Sequence, residues 1–390
     1  MSFFSYLKIN RKKQVSSIDK ESYSLVFNIS SGSITGAIIK FTDKAGVNVI
    51  NYIKEMMPYQ TEVSIERHLD LMKSTLTTVA GKIQAEGIKK IVAKNKKGLT
   101  IDRVFYLFSS PWSISQTKTI RIKESKSFTV TDSYLNHVIT EQEKQFQIDI
   151  AKSGTIIEKK IVQIKVNGYL IDKPNNQQTR ELEMSILFTA VPEKILTAVE
   201  TAVSKIFQLK NVWCHSLSLA TMTTIKNIYP QKEDFIQLNI SEEITDISII
   251  NNGVMSLSAS IPLGTHHFIR SLSTSLKVTE EIAHSMVGMH STKANDAMGG
   301  LSLAVAMDEA AREWLEKIFE SISNFKTKIY VPDSLFLIAG NELIPFIKDK
   351  LEKHDFKVLL IDNKLVKTAV MIDDIMFKVE LMFLDNLYKI

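Results

Sequence analysis

Leu25-Val26-Phe27-Asn28-Ile29-Ser30-Ser31-Gly32-Ser33-Ile34 begins an apolar run that continues through Ala37-Ile38-Ile39 to Phe41. Far along the chain the same tripeptide returns in Phe235-Ile236-Gln237-Leu238-Asn239-Ile240-Ser241-Glu242-Glu243-Ile244-Thr245-Asp246, followed by Ile247 to Ile250. In both places Asn-Ile-Ser ends one apolar strand, and a second strand starts after a small polar turn, which is a β-hairpin signal. A hairpin repeated in two halves predicts two lobes built alike, facing each other across a cleft. Backbone N–H groups in such turns form anion-binding concavities. Two facing turns would therefore hold a nucleotide's phosphates from both sides.

The chain has 390 residues, more than one ordinary domain, so two or more compact units are expected. A hydrophobic fraction of 44% and a charged fraction of 23% match a water-soluble globular protein. No apolar run reaches the roughly 18 residues that cross a bilayer, and no signal peptide is legible. The single cysteine, Cys214, excludes an internal disulfide and fits a reducing cytoplasm. Within Val212-Trp213-Cys214 it reads as a small buried hydrophobe. The formal charge is +5, and the densest basic stretch, Lys89 to Lys97, reads as solvated surface without stacking aromatics; no nucleic-acid partner is expected.

Along the chain, Phe3, Phe4 and Leu7 recur at helical spacing and are followed by Lys8, Arg11, Lys12 and Lys13. Such a segment docks on an anionic membrane surface or frays as a tail. Ile65, Leu69, Met72, Leu76 and Val79 mark an amphipathic helix. A strand at Val104 to Phe108 ends in Ser109-Ser110-Pro111-Trp112, with Trp112 read as a core anchor. Ser115 to Ile122 alternates like a strand, Thr131 or Asp132 caps a helix, and Ile161 to Ile171 and Leu182 to Phe188 read as strands. Pro192-Glu193 opens a further helix, Asn251-Asn252-Gly253 is a hairpin turn, and Asp308 is placed at the cap of a late helix. Ser334 to Ile338 ends at Ala339-Gly340-Asn341, with a helix from about Glu342. Alternation of strands and helices in both halves argues for α/β architecture.

Several of these segments resemble, in order, the motifs of the actin-like ATPase superfamily, most closely its FtsA and PilM branch. The first hairpin stands where that family has its first phosphate loop, and the second where it has Asp-Ile-Gly-Gly-Gly-Thr-Thr-Asp, whose end Thr245-Asp246 matches. Ile261-Pro262-Leu263-Gly264 matches Ile-Pro-x-Gly, Glu280-Glu281-Ile282 is similar to the nucleotide-contacting Ala-Glu-x-x-Lys helix, and Ile338-Ala339-Gly340-Asn341 resembles the adenosine loop. Lys165-Val166-Asn167-Gly168-Tyr169, with Asp172-Lys173-Pro174 and Leu182-Glu183, resembles the extra subdomain of FtsA. The resemblance implies an actin-like (ribonuclease H-like) two-lobe fold with an inserted FtsA-type subdomain. The expected parts are a basic tail over 1–22, the first lobe over 23–111 and 188–232, the insertion over 112–187, and the second lobe over 233–390, whose last elements return to the first.

By the same resemblance the nucleotide-binding positions are Asn28, Ser30, Ser31, Gly32, Ser33, Asn239, Ser241, Thr245, Asp246, Gly264, Glu280, Glu281, Gly340 and Asn341. The departures are chemical. Asparagine at 28 and 239 removes the carboxylates that organise hydrated Mg²⁺. Ser30, Ser241, Glu242 and Glu243 replace glycines that let backbone approach phosphate, and two glutamates there would repel a triphosphate. Binding of ATP and Mg²⁺ is therefore expected to be weak or lost, with Asp246 the one acidic group left for hydrolysis. His266-His267 with His284 and His290 lacks metal-ligand spacing, and no Gly-x-Ser-x-Gly elbow occurs.

The expected function is an adaptor or scaffold at the cytoplasmic membrane face in cell division, with type IV pilus assembly and an active phosphotransferase as alternatives. An envelope or division protein would bind through the insertion, beside self-association and peripheral membrane contact. The FtsA reading draws on the Val-Asn-Gly-Tyr segment. The PilM reading draws on the chain ending, at Leu387 to Ile390, about where the fold would end.

Overall fold

Both Asn-Ile-Ser segments close as hairpins: β1 (Tyr23–Ile29) pairs antiparallel with β2 (Ser33–Thr42), and β10 (Phe235–Ile240) with β11 (Thr245–Asn251). The computed structural model describes residues 23–42, 46–60, 64–89, 91, 101–150, 154–209, 211–291, 300–340, 342–366 and 372–388. The basic tail with Phe3, Phe4, Leu7, Lys8, Arg11, Lys12 and Lys13 lies outside them, as do Asn341 and most of the Lys89 to Lys97 run.

Each hairpin grows into the same sheet. In the first lobe, β3 (Gly46–Met56), β4 (Ile101–Phe108) and β9 (Asn211–Ser216) complete the order β3-β2-β1-β4-β9. In the second, β12 (Val254–Ile261), β13 (Ser334–Ile338) and β14 (Lys357–Leu360) complete β12-β11-β10-β13-β14. In both, the central strand has an antiparallel neighbour on one side and a parallel one on the other. Strands at the centre are buried on both faces and read as continuous apolar runs, as such sheets require. The β11–β12 turn has positive φ at Asn252 (50°) and Gly253 (74°), the conformation that Asn-Gly favours.

Helix α1 (Ile65–Lys82) is capped by the Ser64 side chain, 3.3 Å from Arg67 N, and buries Leu69, Met72, Leu76 and Val79. Ile65, expected on that face, is instead 88% exposed at the first turn. Helix α7 (Gly300–Lys326) begins before Asp308, so that residue is interior to the helix rather than its cap and pairs with Lys350 at 2.7 Å. The remaining helix of this region, α8 (Ile344–Glu352), starts two residues after the expected Glu342.

Between β4 and helix α3 (Glu193–Ser204) the chain makes a third sheet from β5 (Ile114–Thr129), β6 (Gly154–Val166), β7 (Tyr169–Leu170) and β8 (Gln178–Pro192), ordered β5-β8-β6-β7. Helix α2 (Asp132–Asp149), capped by Thr131, packs on it around Leu135, Phe146, Met184 and Phe188. β8 runs unbroken through residue 187 to Pro192. A buried carboxylate ties this sheet to the first lobe. Glu158 on β6 meets His215 Nδ1 at 2.8 Å and accepts from Ser216 Oγ at 2.8 Å, while His215 Nε2 lies 3.2 Å from the Tyr388 hydroxyl. Burial lowers the His215 pKa, so the ring stays neutral and donates to the carboxylate.

Tyr388 ends helix α9 (Ile375–Tyr388), which packs on α4 (Leu217–Ile228) and β3. One apolar cluster holds α4 and α9 together with Val26 and Phe105 of the first lobe and Phe235 and Phe336 of the second. The last helix thus packs on α4 and on β3 of the first sheet, within a cluster that spans both sheets. Cys214 on β9 is a packing residue, its thiol pushed up to about 12 by burial.

Candidate functional site

The two hairpin turns touch. Each closes on itself with the same bond, Ser30 N to Ser33 O at 3.1 Å and Ser241 N to Ile244 O at 2.9 Å. The hydroxyls then form a chain across the lobes: Glu243 N donates to Ser31 Oγ at 2.9 Å, Ser31 Oγ lies 2.8 Å from Ser241 Oγ, and Ser241 Oγ donates to Ile244 O at 2.9 Å. Glu242 reaches over from the second turn and accepts from Ser30 Oγ at 2.8 Å and Ser33 Oγ at 2.6 Å. A Cβ on Gly32 would lie 2.4 Å from the Glu242 Cβ, so the approach requires glycine there.

Glu243 turns the other way. Its carboxylate meets His266 Nδ1 at 2.7 Å and accepts from Arg270 Nη2 at 2.6 Å. Burial would raise its pKa, but the bonds from His266 and Arg270 outweigh that and hold it below the usual carboxylate range. Arg270 also donates to Gln60 O at 3.3 Å and sits over the Tyr59 ring. Helix α5 (Thr265–Leu276) follows Gly264, and its first N–H groups are taken: Thr265 N donates to Ser241 O at 2.9 Å and His266 N to Glu242 O at 2.8 Å. These are the donors that an anion would use at a helix N-terminus.

The asparagines separate. Asn28 Nδ2 donates to Glu380 of α9. Asn239 faces α4, with Nδ2 3.4 Å from Thr221 Oγ1 and its carbonyl oxygen without a partner. Glu380 is fully buried, its second oxygen has no partner, and burial followed by the Asp374 charge raises its pKa well above the carboxylate range. Burial therefore favours its protonated, neutral form. A group whose folded pKa is raised contributes stability at low pH and loses it as pH rises. Glu380→Gln keeps an acceptor for Asn28 without that dependence. Its stability relative to the unsubstituted chain, read by urea denaturation, is expected to improve steadily from pH 5 to pH 8; a constant difference would contradict the neutral acid.

Beside the clasped turns lies a cleft of about 350 Å³. Lys54 is its one lysine or arginine among the described residues, and Glu242, Glu342, Asp373 and Asp374 also line it. Lys54 Nζ is 3.0 Å from Asp374 Oδ2, which also accepts from the Tyr52 hydroxyl at 3.0 Å. Burial would lower the Lys54 pKa, but Asp374 and Glu242 outweigh it and keep the ammonium charged. Four carboxylates against one ammonium is the wrong charge for a triphosphate.

Of the expected site residues, Asn28, Ser30, Ser33, Ser241 and Gly340 line the cleft, and Ser31, Gly32 and Gly264 are built into the clasp. Thr245 is buried, donating to Leu263 O at 2.6 Å and accepting from Trp314 Nε1 at 3.0 Å. Asp246 does not line the cleft. It faces a separate chamber, because it shares a sheet face with Asn239 and Ser260. Glu280 and Glu281 also stay out of the lining, whereas His284 and Val287 of the same helix, α6 (Glu280–Ser291), enter it. His266 and His267 go to separate partners, and no group of three metal-ligating side chains occurs among the described residues.

Sequence reasoning missed Lys54, Asp374, Glu380 and Arg270. Glu380 had one visible signal, an acidic residue between Val379 and Leu381 in an apolar helix. Trp112 is the anchor it was read to be. It donates from Nε1 to Ser30 O at 2.7 Å and stacks on His68 with centroids 5.0 Å apart.

No protein-family model and no curated protein matches the chain. Among solved structures it is similar to the PilM–PilN type IV pilus biogenesis complex, at a TM-score of 0.58 and 11% identity over 87% of this chain and 88% of that one. It is also similar to a Bacteroides thetaiotaomicron protein of actin-like ATPase fold and unknown function (TM-score 0.45, 10% identity, 95% and 99% covered) and to MreB 5 of Spiroplasma citri bound to AMPPNP (0.46, 8%, 93% and 96%). The fold is shared with the PilM–PilN structure over most of both chains.

Proposed function

We propose that the chain is an actin-like protein-binding scaffold of an envelope assembly in which an internal carboxylate has replaced the nucleotide. The observation that carries the reading is Glu242, bound by the Ser30 and Ser33 hydroxyls between turns that would otherwise face a triphosphate. ATP with Mg²⁺ does not fit this arrangement. The N–H groups of Ser30, Ser241 and Glu243 and the α5 N-terminus are occupied, the loop carboxylates are absent, and the cleft carries excess negative charge. An active phosphotransferase is disfavoured because Asp246, its one candidate acid, faces away from the cleft.

A PilM-like role in pilus assembly is preferred to an FtsA-like role in division because the similarity to the PilM–PilN complex extends over most of both chains. The partner-binding element is the third sheet, whose β6–β7 tip leaves Tyr169 75% and Leu170 38% exposed. Peripheral contact through Phe3, Phe4, Leu7 and the lysines behind them would place the scaffold at the inner membrane face; no helix among the described residues is long and apolar enough to cross a membrane. The test is recovery of native partners on the full chain and on Tyr169→Ser with Leu170→Ser. Pilus-assembly proteins recovered by the former and lost by the latter are the expected result. Division-ring proteins would move the reading to FtsA, and equal recovery by both chains would remove the third sheet from it.

A further inference from the structure

The chamber that Asp246 faces lies between the lobes, walled by β11 and β12 on one side and by the start of β5 and of α4 on the other. Its volume is about 350 Å³, within the roughly 300–1,000 Å³ of small-molecule pockets. Hydroxyls dominate its wall. Serines 110, 113 and 115 come from the first lobe and the third sheet, and serines 248, 256 and 260 from the second lobe.

Two features make this more than a polar seam. The first is charge. Asp246 Oδ1 accepts from Ser260 Oγ at 2.5 Å, and Ser260 Oγ lies 3.0 Å from Ser110 Oγ, yet among the described residues no lysine, arginine or histidine lines the chamber. Asp246 is half-buried and, among the described residues, its carboxylate has only serine hydroxyls as partners, so a cation is the complement it lacks; burial raises its pKa while the serine bonds work against that. The second is unmet hydrogen-bonding capacity. Ser248 is only 2% exposed and turns its hydroxyl to the chamber, where none of the described residues bonds to it. The Thr117 hydroxyl, also in the wall, is buried without a partner.

The charge excludes an anionic ligand, and a neutral polyol would leave the carboxylate uncompensated. Mg²⁺ and Ca²⁺ take six or more oxygens, usually with further carboxylates, and a single aspartate is present. We propose that the chamber binds a small hydroxylated primary amine, its ammonium on Asp246 and its hydroxyls on the surrounding serines. An ammonium supplies three donors, and serine hydroxyls both donate and accept. Because the walls come from both lobes, such a ligand braces one lobe against the other. The site is independent of the Glu242 clasp, so the two readings stand or fall separately.

The test uses a matched pair. Serinol, 2-amino-1,3-propanediol, differs from glycerol only in carrying an ammonium in place of the central hydroxyl. Titrated calorimetrically into the full chain at matched chloride, serinol is expected to give saturable heat and to raise Tm, and glycerol neither. Asp246→Asn should weaken serinol by about tenfold or more, the scale of a charge-assisted hydrogen bond. Ser248→Ala, which disturbs no bond within the protein, should weaken it severalfold and serves if the asparagine variant does not fold. Equal responses to the two ligands overturn the proposal, as does unchanged serinol affinity in either folded variant.

Discussion

Glu158→Leu lowers the folding stability by about 3–5 kcal/mol, because the buried His215 ring N–H, Ser216 hydroxyl and Ser216 N–H lose their shared acceptor at about 1–3 kcal/mol each. The carboxylate joins three elements, β6, β9 and α9, at one point. It accepts from Ser216 Oγ at 2.8 Å and Ser216 N at 3.2 Å, meets His215 Nδ1 at 2.8 Å, and through His215 reaches the Tyr388 hydroxyl of α9. Leucine leaves the histidine and serine donors buried with nothing to bond, and an unmet buried donor costs about 1–3 kcal/mol. Glu158→Gln keeps one acceptor and should lose about half as much. The measurement is the urea midpoint of both variants at a fixed slope. A leucine variant within about 0.5 kcal/mol of the parent, the range of ordinary surface changes, would mean that the third sheet is held by its apolar contacts alone.

Gly264→Ala is the second large effect, about 3 kcal/mol, at the upper end of overpacking costs. The position has φ −111°, which any residue adopts, so the cause is purely steric. A methyl there would lie 2.4 Å from Ser241 O and 2.5 Å from Glu242 O. These are backbone atoms fixed by the N–H groups of Thr265 and His266, and no rotamer relieves the clash. Loop 241–244 must shift as a whole, and the Glu242 carboxylate shifts with it. Circular dichroism melting and amide exchange at Ser30 and Ser31 report the two consequences. A fully stable variant with unchanged exchange would contradict the tight docking of α5 on the turn.

The architecture was legible because it rests on local signals. Asn28 and Asn239 each end an apolar strand before a small turn, Asn252-Gly253 can hardly be other than a tight turn, and the order of the weak motifs pointed to the fold. The site was legible only in part. Ser30, Ser33 and Ser241 were found because the turn itself carries them. Glu242 was noticed as a repulsive charge, but its actual role needs Ser30 and Ser33 from the other lobe, a juxtaposition of |i−j| 212 and 209 that no window of sequence contains. Lys54, Asp374 and Glu380 were missed for the same reason, since β3 and α9 meet only in the folded chain. Asp246 misled in the opposite way: a residue that matches a motif still obeys the alternation of its strand, and that alternation turns it toward Ser260.

The central claim is that Glu242 occupies the place between the turns that a nucleotide's phosphates would need. Calorimetric titration of the full chain with ATP and Mg²⁺, beside Glu242→Ala, tests it most directly. The account predicts no saturable heat from the unsubstituted chain up to millimolar ATP, and measurable binding in the alanine variant, where the Ser30 and Ser33 hydroxyls are released. Micromolar, Mg²⁺-dependent binding by the unsubstituted chain, unimproved in the variant, would contradict it.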